Sequence, residues 1–311
     1  MFLPRQGSQA DHFREARMEH DVAEEWAIIV HGGADATPRR EYGHVEVHLQ
    51  GLMVQASGWL EHGMSALDAA QKAVTELEAC GHHIAGKGAS PNMNGIWELD
   101  AAMMDGPSRN AGAVSALVGF LSPVAVARSV LDHTPNVLLS GEGAAELGHR
   151  YKHTLVEDPE SYYDPSVKEK LPPNAAGHGT VGAVVLDKHG NLAAATSTGG
   201  LLNKTPGRVG DSPIIGAGTW ADQDVAVSCT GEGEYFMRVA AAASVAARVR
   251  YGGESVQDGA AHVIDEVGGL GGKGGLIALG KNGEIAMPYN SKGMKRACAT
   301  SSGRLDVKIY E

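Results

Sequence analysis

Thr180 stands where the chain changes character. Before it lies a charged stretch carrying Pro159, Pro165, Pro172 and Pro173; after it comes the apolar run Val181-Gly-Ala-Val-Val-Leu186. A threonine hydroxyl is a weak nucleophile and needs a base. Cutting the Gly179–Thr180 bond would supply one on the same residue, an α-amino group with a pKa of about 7.7–8 in model peptides. That amine can take the hydroxyl proton directly or through one water, in a geometry fixed by a single residue. Gly179 leaves the scissile carbonyl unshielded, and the Thr180 methyl restricts χ1. An isolated Gly-Thr pair would read as nothing more than the start of a strand; here it closes a cuttable linker.

Other residues of suitable type follow. Thr196-Ser-Thr198 precedes Gly199-Gly200. The glycine-rich run Lys204-Thr-Pro-Gly-Arg-Val-Gly-Asp-Ser-Pro213 holds Arg208 and Asp211. Arginine offers a fork to a carboxylate, and an aspartate accepts from an ammonium, so the two match the α-groups of an amino acid. The bland alternative is a surface ion pair between near neighbours, which contributes little. Cys229-Thr-Gly-Glu-Gly-Glu234 places a hydroxyl and open backbone N–H groups where a long helix is expected to start, an arrangement suited to a developing oxyanion. The bland alternative is an ordinary helix cap.

The elements that must position these groups can be read from periodicity. Trp26–Val30 is a short apolar run ending in His31-Gly-Gly33, a buried strand and its turn. Residues 48–80 carry two amphipathic helices, the second capped by Ser65. Strands are expected at 98–104 and 111–120, and helices from Ser122-Pro123 to about Leu131 and over 143–150. Residues 152–178 read as an exposed, mobile linker. Then come strands at 180–187 and 192–198 joined by a hairpin turn at 188–191, a strand at 224–230, one continuous Ala-rich helix at 232–250, a helix at 255–267 and a hairpin at 275–288. Hairpin strands with helices grouped between them predict antiparallel sheets covered by helices in layers, not an alternating βαβ fold. The polar residues 1–24 form an N-terminal extension, and 25–311 a single domain.

Composition bounds the partners. The formal net charge of −11 disfavours phosphate backbones, so no nucleic-acid partner is expected. No apolar stretch approaches membrane-spanning length, and the charged first 25 residues lack an apolar leader core, so the expectation is a cytoplasmic protein with no membrane partner. Only 5% of residues are aromatic, which leaves the core to Ala, Val, Leu and Ile. Cys80, Cys229 and Cys298 make no disulfide framework and no CxxC pair. Cys80 with His82 and His83 fits no standard zinc spacing and reads as a solvated loop. Gly269-Leu-Gly-Gly-Lys-Gly274 has the GxGxxG pattern but precedes a β-like run, and Lys273 is followed by glycine, so it is not a P-loop. There is no GxSxG elbow.

Taken together, His178–Asp187, Asn191–Gly200, Gly207–Pro213 and Cys229–Glu234 resemble the plant-type L-asparaginase/isoaspartyl peptidase family of N-terminal-nucleophile (Ntn) hydrolases. The likeness runs from Trp26 onward through His31-Gly-Gly33, Leu99-Asp-Ala101, Met104-Asp-Gly106, Gly141-Glu-Gly143 and Gly271-Gly-Lys-Gly-Gly275. It implies an α+β fold, a four-layer αββα sandwich, autocleavage into residues 1–179 and 180–311, and an (αβ)2 assembly. It implies Thr180 as nucleophile and Thr198 as its activating neighbour. It further implies Arg208 and Asp211 on the substrate α-groups, Thr230 and Gly231 as the oxyanion hole, and Gly233 in the substrate site. The substrate would be a small molecule, L-asparagine or a β-aspartyl dipeptide, hydrolysed to L-aspartate without a required cofactor. A structural sodium would rest on backbone carbonyls of Glu78, Cys80, His83, Ala85 and Lys87. One departure stands out: Ile84 replaces the family's Asn and His83 a typical Phe, which is expected to slow self-processing. Two alternatives stay open, a glycosylasparaginase-like hydrolase and an unprocessed, inactive homologue kept as a binding protein.

Overall fold

The computed structural model describes residues 25–38, 40–163 and 179–311. The polar extension at 1–24 and the latter part of the expected linker, 164–178, lie outside these residues.

The chain folds as two sheets with helices. The larger sheet has eight strands in the order β12-β11-β1-β5-β6-β2-β3-β4. These are β1 (Ala27–His31), β2 (Leu99–Asp105), β3 (Ala111–Leu117), β4 (Leu138–Ser140), β5 (Val181–Leu186), β6 (Leu192–Thr198), β11 (Arg296–Thr300) and β12 (Leu305–Lys308). The smaller has the order β10-β9-β8-β7, from β7 (Thr219–Ala221), β8 (Val225–Gly231), β9 (Gly274–Gly280) and β10 (Ile285–Ala286). Among the described residues the named strands pair antiparallel except β3 with β4. That one parallel edge corrects the expectation of purely antiparallel sheets. Helix α3 (Pro123–His133) carries the chain back between the two strands, as a parallel connection requires, and α4 (Gly141–Arg150) follows β4.

Both faces of the central strands are covered, so they are apolar throughout rather than alternating. Period two still sorts their side chains. Val181, Ala183 and Val185 of β5 join the core beneath α1 (Gly43–Glu61), α2 (Ala66–Ala79) and α3, whereas Val184 and Leu186 join a core between the sheets. In the small sheet Val225, Val227 and Cys229 face α7 (Ala241–Gly252) and α8 (Val256–Gly269), and Ala226 faces the other sheet. Asp187 ties the β5–β6 hairpin to α2: its carboxylate accepts from the Ala66 N–H at 2.9 Å and from the turn amides of His189 and Asn191. Ser65 caps α2 by accepting from Asp68 N–H.

Three expectations change. The Ala-rich helix is two helices, α6 (Gly233–Arg238) and α7, because Ala240 turns left-handed at φ 48°. That break lets the first amides of α7, from Ala242 and Ala243, donate to the carbonyls of Ala217 and Gly216. The linker is not exposed from its start: Val156 and Tyr163 are buried, Tyr163 stacks on Trp97, and Asp158 caps the short α5 (Pro159–Tyr162). The loop at 82–86 is not solvated, since His83, Ile84 and Ala85 are buried and only His82 is exposed. Among the described residues no helix is long and apolar enough to cross a membrane.

Candidate active site

The candidate reacting residues share one face for a reason of parity. In β6, Thr196 and Thr198 fall in step with Leu192 and Ala194, which face the inter-sheet core. By the same count His31 of β1, and Ser228 and Thr230 of β8, face it too, in step with Ile29 and Ala226. Hydroxyls or an imidazole at this parity in each of three mostly apolar strands are the signal that could have shown this layer, although Ser197 of β6 falls at the other parity.

Thr180 directly precedes β5 and Thr198 ends β6. Val181 pairs with Ser197, so the antiparallel register sets Thr180 opposite Thr198. The Thr180 hydroxyl donates to Thr198 Oγ1 at 3.3 Å. The Thr198 hydroxyl donates in turn to the Gly179 carbonyl at 2.7 Å, and accepts from Gly200 N–H at 3.0 Å. Thr180, Thr198 and the Gly179 carbonyl thus form one directional hydrogen-bond chain. The charge that attack would place on the Gly179 oxygen already faces a hydroxyl donor.

A second chain holds the Thr180 backbone, and sequence reasoning missed it. His31 Nδ1 lies 3.1 Å from the Thr180 carbonyl and Nε2 lies 3.0 Å from Ser228 Oγ. A carbonyl only accepts, so Nδ1 carries the proton and Nε2 accepts from Ser228. Thr196 then donates to Ser228 at 2.7 Å, and Thr219 donates to Thr196 at 2.7 Å. Burial first, with Lys295 adding to it against the pull of the Thr180 bond, pushes His31 down to about 3, so the ring stays neutral at working pH. Gly182 makes room, because a Cβ there would stand 2.0 Å from Ser228 Oγ and 2.5 Å from His31 Nε2.

Gly179 is fixed by packing as well as by accessibility. A Cβ at 179 would stand 2.5 Å from Cβ of Ile84, whose carbonyl accepts from Gly199 N–H. Ile84 is therefore a wall against the candidate cleavage site. Gly179→Ala is expected to displace the scissile carbonyl and slow self-cleavage by about 10²-fold, with partial rescue by adding Ile84→Gly. Cleavage time courses on the two variants decide it; an unslowed Gly179→Ala would remove the wall from the argument.

Gly179, Thr180, Thr198, Arg208, Asp211 and Gly231 line one small cavity, open to solvent, with Gly200, Leu201, Gly210 and Ser212. Arg208 and Asp211 do not pair with each other. The Arg208 fork grips Glu234 at 2.8 and 2.9 Å, a contact sequence reading did not find. Asp211 is 3% exposed and its Oδ2 has no partner among the described residues. Burial pushes its carboxyl up to about 7; its own backbone and the nearby Arg208 pull the other way, and Glu234 and Asp100 push further. Gly233 does not line the cavity. It stands behind Asp211, where a Cβ would come within 2.7 Å of Oδ1. Thr230 is buried beside the cavity; its Oγ1 accepts from Ala34 N–H at 3.3 Å and keeps its own proton to donate. Gly231 turns at φ 145°, with Lys273 O 2.4 Å from where a Cβ would be, so only glycine fits.

The surrounding loop is pinned. Lys204 Nζ donates to Glu98 O at 2.6 Å, and the Gly207 amide donates to the Glu98 carboxylate. The cavity thus offers a hydroxyl, a guanidinium fork and a buried carboxyl group with no ion-pair partner among the described residues, at the edge where β5, β6 and β8 meet.

Comparison with known proteins bears on this arrangement. The chain matches the asparaginase family over residues 24–171 and 156–309. It is 45% identical to the isoaspartyl peptidase of Salmonella typhimurium, over 91% of this chain and 98% of that one. It is 36% identical to a probable isoaspartyl peptidase/L-asparaginase 2 of Arabidopsis thaliana, over 92% and 99%, and 38% identical to the Homo sapiens isoaspartyl peptidase/L-asparaginase, over 91% and 95%. Near-complete coverage at these identities shows that the chain belongs to the plant-type L-asparaginase/isoaspartyl peptidase family.

Proposed function

We propose that the protein cuts itself between Gly179 and Thr180 and that the freed Thr180 hydrolyses L-asparagine and β-aspartyl dipeptides to L-aspartate. The observation that carries this is the Thr180–Thr198–Gly179 hydrogen-bond chain opening onto a cavity with an unpartnered buried carboxylate. The relatives' names supply the substrate class.

In the uncut chain the Thr180 oxygen attacks the Gly179 carbonyl while Thr198 donates to the carbonyl oxygen. The C–N bond breaks, the amine takes the proton, and water hydrolyses the resulting ester. In the mature enzyme the Thr180 amine accepts the hydroxyl proton. The hydroxyl then attacks the substrate side-chain carbonyl, with Thr230 and the Gly231 segment beside the oxyanion. Removing one such donor typically costs about 10²–10³ in rate. The leaving ammonia or amino acid takes the proton, and water releases L-aspartate. Arg208 holds the substrate α-carboxylate and Asp211 its ammonium. On this reading the two sheets and their helices form the four-layer αββα sandwich, processed and assembled as (αβ)2 in the cytoplasm. The loop at 78–88 suits a structural sodium that takes no part in the chemistry. It is wound so tightly that the Glu78 and His83 carbonyl oxygens would stand 2.4 and 2.0 Å from any Cβ on Gly86 and Gly88. The resemblance would add the carbonyls of Cys80, Ala85 and Lys87 to complete a hard-oxygen set.

Intact mass after incubation at neutral pH tests the reading. Two chains meeting at Gly179/Thr180 support it; one full-length mass persisting for days would favour an inactive homologue. Asp211 adds a pH signature. With its carboxyl near 7 in the free site, the form that binds an ammonium is lost as pH falls. The inhibition constant of L-aspartate, whose own groups do not titrate between pH 5 and 7, is expected to rise about tenfold per unit below pH 7. Asp211→Asn should flatten that slope, and an equal slope in the variant would clear Asp211 of the role.

A further inference from the structure

Two elements far apart in sequence bring metal-ligating side chains together outside the cavity. His44 and His48 are one helical turn apart at the start of α1, on one face. Cys80 follows the last residue of α2, and Gly81, at φ 74°, turns the chain so that His82 comes back toward α1. The His44 and His82 rings meet edge-on at 4.8 Å, and His48 and His82 at 5.5 Å. Ligand atoms of His48, Cys80 and His82 all lie within 4.8 Å of one another. His48 Nε2 is buried and has no hydrogen-bond partner among the described residues, a state in which buried polar atoms are seldom left.

We propose that His48, Cys80 and His82, with His44 closing the fourth position, bind one divalent transition metal of the zinc class. Two or three imidazoles and one thiolate are the donors such an ion prefers. Metal–nitrogen bonds of about 2.0–2.1 Å and a metal–sulfur bond of about 2.3 Å put tetrahedral ligand atoms roughly 3.3–3.6 Å apart. Side-chain rotation would bring the ligand atoms of His48, Cys80 and His82 from within 4.8 Å to that spacing, with His44 swinging in from its ring contact on His82; His44 and His82 are exposed and His48 is half-buried. The Cys80 thiol now donates to Leu77 O at 3.3 Å and accepts from His82 N–H at 3.4 Å. On binding, the S–H proton leaves to water, the metal takes its place, and the His82 amide continues to donate to the sulfur. Burial holds His48 below the ordinary histidine value and so in the neutral, ligating form. This site uses side chains on the outer side of the loop, whereas the sodium expectation uses its backbone carbonyls. Its consequence is mechanical: the ion would clamp α1 to the loop that presses His83 against Gly32 and Ile84 against Gly179.

The test uses untagged, full-length protein stripped with a chelator and titrated with Co²⁺, then with Zn²⁺ in competition. One equivalent per chain and a thiolate-to-cobalt charge-transfer band are expected. Cys80→Ser should abolish that band. His48→Gln and His82→Gln should each weaken Zn²⁺ binding by about 10²-fold or more, one ligand's share of a typical structural zinc affinity. His133→Gln, on an exposed ring stacked against Tyr151, should leave it unchanged. Far-ultraviolet circular dichroism confirms that each variant is folded. Absence of a saturable equivalent, absence of the band, or undiminished affinity in His48→Gln and Cys80→Ser would overturn the site. None of these readouts depends on self-cleavage or amidase activity, so the proposal stands or falls apart from the catalytic reading.

Discussion

Thr180→Ala is expected to leave one uncut chain and to lower turnover of L-asparagine by about 10⁴-fold or more, the scale on which losing a nucleophile acts. Both losses have one origin. The same oxygen sits 3.3 Å from Thr198 Oγ1 in the uncut chain, and after cutting the same residue supplies the base. Thr180→Ser keeps the oxygen and loses the methyl that restricts χ1, so it should cut and turn over slowly but measurably. Intact mass separates the two variants, and a steady-state assay of each gives the second readout. A Thr180→Ala chain that still divides at residue 179 would place the nucleophile elsewhere. Thr198→Ala should mainly slow the cut, since its hydroxyl is the donor on the Gly179 carbonyl.

Arg208→Lys is expected to raise KM for L-asparagine about 10- to 100-fold with a smaller change in kcat. A lysine keeps the charge but loses one of two charge-assisted hydrogen bonds, each contributing about 1.5–3 kcal/mol. An effect confined to KM marks binding shared by ground and transition states. The structure adds a refinement. In the free site the fork is held by Glu234, whose side chain is 51% exposed. On the proposed reading the substrate carboxylate takes the fork from Glu234, so Glu234→Gln should lower KM several-fold while Arg208→Lys raises it. An unchanged KM in Arg208→Lys would remove Arg208 from substrate recognition.

Much of the machinery was legible in the linear chain because it depends on neighbours in sequence. The Gly179–Thr180 junction, the apolar runs of β5 and β6 and the turn between them are local, and the hairpin register alone brings Thr180 to Thr198. Ser65 caps α2 through a contact three residues away. The glycines at 179, 182 and 231 were visible as residues, but their reasons were not. Each is required by something remote: Ile84 against Gly179, His31 and Ser228 against Gly182, and the Lys273 carbonyl against Gly231. The Ala-rich stretch of 232–250 misled for a related reason. Helix propensity is a weak local preference, and docking of α7 on the carbonyls of Ala217 and Gly216 overrides it at Ala240.

Sequence by itself determined the family, and it pointed to the candidates for nucleophile, cleavage junction, fork and carboxylate, since each rests on residue type and short spacing. Tertiary structure alone decided who touches whom across strands and helices. It paired Arg208 with Glu234 rather than Asp211, left the Asp211 carboxylate buried without a cation, and built the Thr219–Thr196–Ser228–His31 chain behind Thr180. It also brought His44 and His48 beside Cys80 and His82, where spacing along the chain had given only a loop. The physical reason is common to all four. Burial and cross-strand register set the dielectric and the partners of a side chain, and both are properties of elements that meet only when the sheets and helices close on one another.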